Sequence, residues 1–433
     1  MQHLTLPFPL LYLCSVSKTK VSIILIAKNE AANLEHCLTG LAEQLVPFSY
    51  EVQVVDNQSS DSSHRIARSF AKSHPNFHVW RQKKVGIPAA RNLGARKANG
   101  EILVFTDANC RFPATWLSEI TKPLLLPQRL PVGAVGGFTE REFEGARSGR
   151  ALKLWEQYAD ELFQLWEQDR TKAFPGFLPW APGCNLAVKK ELFLALGGFE
   201  ESWKLAAYDV DFCWRLALTG FQLAYAPRAH LIQKRKASLK TLLSQIENVS
   251  FYNQLLLKTY EKNLRYPPVV TKREKILTQA RSAIESAKAI RSFEELSHRG
   301  VDSLVKLAAA KGQLRALYSR LRPSKELQAS RQGVCSAVEN TLPKNYRHLH
   351  EQGWCYWKDP ADYDVDGDLV LFQAREREWF RLNESAWKVW EVKSTGGQSE
   401  DAAALLCEDR NDPEALNDVD HLTLDLHRKD LLP

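Results

Sequence analysis

Three polar residues stand at the ends of short apolar runs: Asn29 beyond "VSIILIA", Asp56 closing "EVQVVD" and Asp107 closing "EILVFTD". An acid in such a place can accept a hydrogen bond from a ring N–H or hold a hard cation. Asp107 is followed two positions later by Asn109, where a second carboxylate would complete a cation site. An amide carbonyl can still bind a hard cation but adds no charge. Further on, "AYDVDFCWRL" places Asp209 at a helix start, where an acid can cap the helix. Asp211 and Arg215, at i and i+4 of the same helix, predict an ion pair.

The elements that position these residues are legible from patterning. From Val21 to about Ala226, apolar β-rich runs alternate with helical stretches, one opening at "SSDSSHRIARSF" with Asp61 as a plausible N-cap. Continuous apolar strands separated by helices read as a mostly parallel sheet covered on both faces. Ligands of such sheets sit at the carboxyl ends of the strands. From about Gln233 to Arg331 the chain is helix-forming, and Lys and Arg outnumber Asp and Glu by about two to one, broken at "RYPPVV". From Tyr346 the balance reverses, with about twice as many acids as bases. There "WCYWKDP", "DLVLFQA" and "EWFRLN" read as strands separated by "ADYDVDG" and "RER" turns. Helices follow from Glu384, near "EDAAALLCED" (opened by Glu400 or Asp401) and over "PEALNDVDHLTLDLHRKDLL". The expected architecture is α/β, with a helical connector and a small winged-helix-like α+β domain at the C-terminus.

The bulk numbers exclude more than they assign. A chain of 433 residues supports two or three domains, and a net charge of +7 favours anionic ligands only weakly. An acidic winged helix would be repelled by phosphates, so nucleic-acid binding is not expected. Eight scattered cysteines without a C-x-x-C pair fit reduced thiols in a cytoplasmic protein. The N-terminal "LTLPFPLLYLC" is about half the length of a membrane span and reads as a loose arm, with no other run approaching a span.

The segments "VSIILIAKNEAANLEHCL", "VVDNQSSDSS", "VGIPAARNLGARKANGEILVFTDAN" and "PGCNLAVKKELFLALGGFEESWKLAAYDVDFCWRLALTG" together resemble family-2 glycosyltransferases of GT-A fold. The resemblance implies a nucleotide-sugar donor, expected to be a UDP-sugar, with Ala27, Asn29 and Glu30 lining the nucleotide pocket. It places Asp56 on the base, Arg91 and Asn92 near the nucleotide, Asp107 at the ribose, and Gly183 and Asn185 on the acceptor side. Asp209 would be the general base of an inverting displacement, with Tyr208 in place of the family's usual glutamate. The family's D-x-D binds Mn²⁺ or Mg²⁺, a role left here to Asp107 and Asn109. Where relatives have a metal-binding histidine, this chain has Gln233, with His230 displaced by three. A divalent cation is therefore one expectation. Neutralisation of the diphosphate by Lys28, Arg228, Lys234 and Arg235 is the other.

"LNESAWKVWE", "GGQSED" and the final "DLHRKDLL" resemble PqqD-like peptide-recognition domains. The resemblance implies that a ribosomally made precursor peptide adds as a strand to "EWFRLN", against Trp379, Phe380, Leu382 and Trp387, with Val389 beneath. Trp387 and Trp390 are equally readable as core. The expected divisions are 1–19 (arm), 20–232 (glycosyltransferase), 233–344 (basic helical connector) and 345–433 (peptide-binding). The function expected is transfer of a sugar to the captured peptide. Two alternatives are a glycosyltransferase acting on a small peptide-derived cofactor or glycan, and an inactive peptide-binding scaffold.

Overall fold

A computed structural model describes residues 21–126, 131–144, 180–236, 239–260, 273–288, 301–319, 344–351, 354–358, 369–373, 378–407, 412–429 and 431–432. The N-terminal arm, the "RYPPVV" break and the "ADYDVDG" and "RER" turns lie outside them.

The first part runs β1 (Val21–Ala27), α1 (Leu34–Ala42), β2 (Tyr50–Asp56), α2 (Ser63–Ser73), β3 (Phe77–Arg81), α3 (Ile87–Lys97) and β4 (Ile102–Asp107). It continues through β5 (Cys110–Arg111), α4 (Trp116–Leu125), β6 (Val132–Glu144), β7 (Leu186–Lys189), α5 (Lys190–Ala195), α6 (Tyr208–Ala217) and β8 (Gln222–Lys236). The strands form one sheet in the order β3-β2-β1-β4-β7-β6-β8-β5. Strands β3, β2, β1 and β4 are mutually parallel, as expected from the alternating strand and helix segments. Beyond β4 the sheet is mixed: β7 runs antiparallel to β4 and β6, while β6 and β8 pair in parallel.

Both faces are covered, which is why the strands read as unbroken apolar runs rather than alternating ones. Ile23, Leu25 and Val104 pack with α1 and α4 on one face, where Leu34, Leu38, Trp116 and Ile120 are buried. Ile24, Leu103 and Phe105 point to the other face, with Phe193, Phe199, Trp203 and Phe212. Helix α3 lies against β1 and β2 through Gly94, where a Cβ would stand 2.4 Å from a methyl of Ile24. This close approach brings Arg91, one turn earlier, to the end of β4.

The basic segment contains α7 (Leu239–Tyr260), α8 (Arg273–Lys288) and α9 (Val301–Leu317). Strand β8 passes the expected division at residue 232. Helix α7 then buries Phe251, Tyr252, Leu255, Leu256 and Tyr260 in the same core as α6. Part of the basic patterning is used within the fold: Lys311 and Arg315 of α9 reach Glu247 of α7 at 2.7 and 2.6 Å.

After α10 (Lys344–Glu351), β9 (Trp354–Lys358), β10 (Leu369–Gln373) and β11 (Glu378–Leu382) form an antiparallel sheet with β10 central. Helices α11 (Glu384–Ser394), α12 (Ser399–Ala403) and α13 (Pro413–Arg428) follow. Asn383 caps α11, its side chain accepting the Ala386 N–H at 2.8 Å. Asp412 caps α13 in the same way, accepting from Glu414 and Ala415. Three strands and three helices follow the expected order, and Tyr346, Leu382, Trp387, Trp390 and Leu426 form their core.

Candidate active site

The site is built at the carboxyl ends of β1, β2 and β4. Asn29 sits in the left-handed region at φ 56°, and its side-chain carbonyl accepts the Ser60 N–H at 2.8 Å. The Asn29 and Glu30 N–H groups donate to the hydroxyls of Ser59 and Ser63 at 3.0 and 2.9 Å. The loop after β1 is thus sewn to the loop after β2, while the Ala27 carbonyl accepts the Asn57 N–H at 2.8 Å. Asp61 clamps the pair, accepting from Ser63 and from the Ala31 N–H, and these bonds hold its carboxyl below the usual range. Regular helix begins at Ser63 with Ser62 at the N-cap position, so Asp61 stands one residue before the place expected of it. Asp56 is buried, with Oδ1 accepting the Ser59 N–H at 3.0 Å and Oδ2 lying 3.2 Å from Arg81 Nε. Arg81, at the end of β3, has no motif signal and was not anticipated.

Asp107 is held from two sides. Arg91 Nη2 donates to Oδ1 at 2.6 Å, and Gln233 Nε2 donates to Oδ2 at 3.2 Å. Arg91 is fully buried between aromatic rings, its guanidinium carbon 5.1 Å from the Tyr208 centroid and 5.9 Å from Phe199. Tyr208 therefore supplies a π face where the resemblance implies an acid. Asn109 closes the turn onto β8: its Nδ2 donates to the Lys234 carbonyl at 2.7 Å, and its own carbonyl accepts the Lys234 N–H at 2.9 Å. That turn sets Cys110 opposite Gln233 and so brings Gln233 to Asp107. Cys110 and Cys184 are buried in contact beneath it.

Asp209 lies in the first turn of α6, and its Oδ2 accepts the Gly183 N–H at 2.9 Å. Burial pushes its carboxyl above the ordinary value, opposed by the Gly183 N–H and by Arg91. The preceding Ala207 holds a left-handed φ of 65°, an uncommon conformation for a residue with a Cβ. Helix α6 is fixed from behind: Arg215 Nε donates to Asp211 at 2.9 Å, its other nitrogens reach the Leu196 and Gly198 carbonyls, and Tyr260 of α7 donates to Asp211 at 2.9 Å. The expected Asp211–Arg215 pair is formed, and it is buried.

Several expected site residues have other work. Asn92 spends its amide on the backbone of Phe199, donating to its carbonyl at 2.7 Å and accepting its N–H at 2.9 Å. It pins the "GGF" loop rather than facing a nucleotide. Asn185 is fully buried, donating to the Phe138 and Ala229 carbonyls and accepting from Trp116 Nε1, each at 2.9 Å. Both of its amide hydrogens and one lone pair of its carbonyl are used within the fold. His230 Nε2 faces Glu140 at 2.9 Å, with its ring 5.2 Å from Phe138, so it belongs to a surface pair and not to Asp107. Trp387 and Leu382 are each only 1% exposed and Val389 packs with Ala402 and Val419, so these residues lie in the core of the C-terminal part. Trp379 and Phe380 lie on the outer strand β11; their side chains are outside the described set.

Among the described residues, the protein's own offer to a cation here is the carboxylate of Asp107, each of whose oxygens already accepts one N–H group, with an amide at Asn109. No group of three His, Cys, Asp or Glu residues suited to a metal occurs among the described residues. This donor set does not fit a resident metal held by the protein alone. Among the described residues, no helix is long and apolar enough to cross a membrane.

In an α/β sheet of this kind, the polar groups gathered at the strand ends and the acid at a following helix start mark the place where a ligand binds. Comparison with known proteins makes this specific. The family described as Glycosyl transferase family 2 matches residues 22–196, and that described as Coenzyme PQQ synthesis protein D (PqqD) matches residues 368–432. The chain is thus similar to both families, each over its own segment. It is 30% identical over 208 residues to glycosyltransferase AglE of Haloferax volcanii, covering 48% of this chain and 64% of that protein. It is 26% identical over 215 residues to polypeptide N-acetylgalactosaminyltransferase 8 of Drosophila melanogaster, covering 48% of this chain and 36% of that one. The chain thus spans less than two thirds of these relatives. Among solved structures, the mannosyltransferase PcManGT from Pyrobaculum calidifontis, in complex with GDP-Man and Mn²⁺, is 22% identical, with a TM-score of 0.48 over 70% of this chain and 89% of that one.

Proposed function

We propose that this chain is an inverting glycosyltransferase that moves a sugar from a nucleotide-sugar donor to a precursor peptide captured by its C-terminal domain. The observation that carries the reading is the union, in one chain, of the two matched domains. The names of AglE and of the Drosophila polypeptide transferase support the transferase half. The peptide acceptor rests on the PqqD match, with β11, one of the two edge strands of the small sheet, as the strand to which a peptide would add.

The chemistry follows from the placement of side chains. Asp56 and the sewn loops after β1 and β2 would receive the nucleoside, with Asp107 at the ribose and diphosphate. Asp209, ionised, accepts the proton of an acceptor hydroxyl or thiol as that atom bonds to the anomeric carbon. The bond from that carbon to the diphosphate breaks, and its electron pair leaves with the nucleoside diphosphate. A single in-line displacement inverts the configuration, and one base within hydrogen-bond reach suffices. The Gly183 N–H fixes the orientation of that base. Joining the peptide site to the transferase raises the local acceptor concentration.

The test is Asp209→Asn in the full chain, read as nucleoside diphosphate released from UDP-glucose and UDP-N-acetylglucosamine. The reading expects release to fall at least 100-fold with donor affinity retained. Unchanged release would remove Asp209 from the mechanism. The absence of both donor binding and release in the unmodified chain would leave a peptide-binding scaffold.

A further inference from the structure

A divalent cation draws its binding from the negative charge and lone pairs of its oxygen ligands. At Asp107 both are partly spent: Arg91, buried and paired with it at 2.6 Å, offsets its charge, and Gln233 donates to its other oxygen. Gln233 stands where the family resemblance implies a metal-binding histidine, and the structure shows what this glutamine does instead. Its Nε2 faces Asp107, while its Oε1 accepts two N–H groups of Arg235, from Nε at 3.1 Å and from Nη2 at 2.9 Å. The glutamine bridges the carboxylate to a second arginine. Asn109, the other altered position, ties the β4 turn to the backbone of Lys234, so the strand carrying Gln233 and Arg235 is held alongside Asp107. Two changes that each weaken a cation site thus cooperate to fix an arginine in its place.

We propose that Arg235, forked onto Gln233 beside Asp107, is the cation of this site: it receives the donor's diphosphate, and donor binding does not require a divalent metal. This rests on the nucleotide-sugar reading above and deepens it. Arg235 is half-buried, leaving donors of its planar fork for phosphate oxygens, which suit bidentate pairing. With Arg91 and Asp107 cancelling, Asn109 and Gln233 neutral and Arg235 charged, the group carries net positive charge without a metal. On departure, the negative charge formed on the diphosphate oxygen would meet this guanidinium.

The experiment is calorimetric titration of the full chain with UDP and with uridine, in Mn²⁺ and then in excess chelator, for the unmodified protein and Arg235→Gln. Expected are UDP affinities within about threefold in the two buffers. Arg235→Gln should weaken UDP at least tenfold while leaving uridine unchanged. The double substitution Asn109→Asp/Gln233→His should make UDP binding Mn²⁺-dependent. UDP binding that vanishes in chelator and returns with Mn²⁺ would overturn the proposal and leave the nucleotide-sugar reading intact. UDP binding insensitive to Arg235→Gln would overturn the role of Arg235. Failure of both UDP and uridine to bind in either buffer would overturn the nucleotide reading together with the proposal.

Discussion

Gly183→Ala tests how the two carboxylates are joined. A Cβ built on Gly183 would stand 1.9 Å from Arg91 Nη1 and 2.9 Å from the Tyr208 ring. Ordinary contact requires the guanidinium to retreat by roughly 1.5 Å. Arg91 has no room to do so, being fully buried between Tyr208 and Phe199, with Nη2 bonded to Asp107. The retreat must therefore break the Arg91–Asp107 pair or carry Tyr208 and its neighbour Asp209 with it. Breaking a buried pair by displacing one partner costs about 3–5 kcal/mol; the low end applies, because a quarter of the Asp107 side chain is exposed. A displacement of about 1 Å at the reacting centre lowers turnover by about 100-fold. Urea denaturation would show the loss of stability, and nucleoside diphosphate release at 10 °C, where the folded fraction stays high, would show the loss of turnover. The Gly183 N–H survives the substitution, so any loss of its bond to Asp209 would come from displacement of Asp209 and not from removal of the donor. A variant with unchanged stability and turnover would refute the reasoning that Arg91 is clamped between Gly183 and Asp107.

Other outcomes follow from the same geometry. Because burial raises the Asp209 carboxyl and a general base must be ionised, the acid limb of kcat/KM should lie above the ordinary aspartate value of about 3.9; a pH–rate profile with its limb at or below that value would contradict this. Arg215→Ala should destabilise the fold by about 3–5 kcal/mol in urea, because it strands the buried Asp211 carboxylate; a loss under 1 kcal/mol would show that pair to be dispensable. Tyr260→Phe removes one hydrogen bond to the same carboxylate, with an expected loss of about 1.5–3 kcal/mol by the same measurement. Asn92→Ala should lower stability while leaving UDP affinity within about threefold by calorimetry, since its amide serves Phe199.

Much of the frame was legible in the chain. Apolar runs ending in Asn29, Asp56 and Asp107 located three strand ends, and period-2 placement of Ile23, Ile24 and Leu25 on opposite faces explains why those runs are unbroken. Asp211 and Arg215 pair as a helical repeat requires. What could not be read were contacts set by closure of the sheet. Gln233 meets Asp107 across 126 residues, and Gly183 meets Arg91 only because α3 rides low on Gly94. A motif also does not separate residues that face a ligand from those that hold the loop presenting it. Asn92 and Asn185 belong to the second kind, and only their hydrogen-bond partners show it. Arg81 reaches Asp56 from a strand end with no distinguishing pattern, and the basic segment after Lys236 gave no sign that α7 would complete the core behind α6.

The most direct measurement is the intact mass of a candidate precursor peptide that binds the full protein, after incubation with that protein and UDP-glucose or UDP-N-acetylglucosamine. The account predicts a gain of one sugar residue, lost with Asp209→Asn and reduced when the peptide cannot engage β11. A peptide that binds the C-terminal domain and keeps its mass while donor is consumed would contradict the claim that the captured peptide is the acceptor.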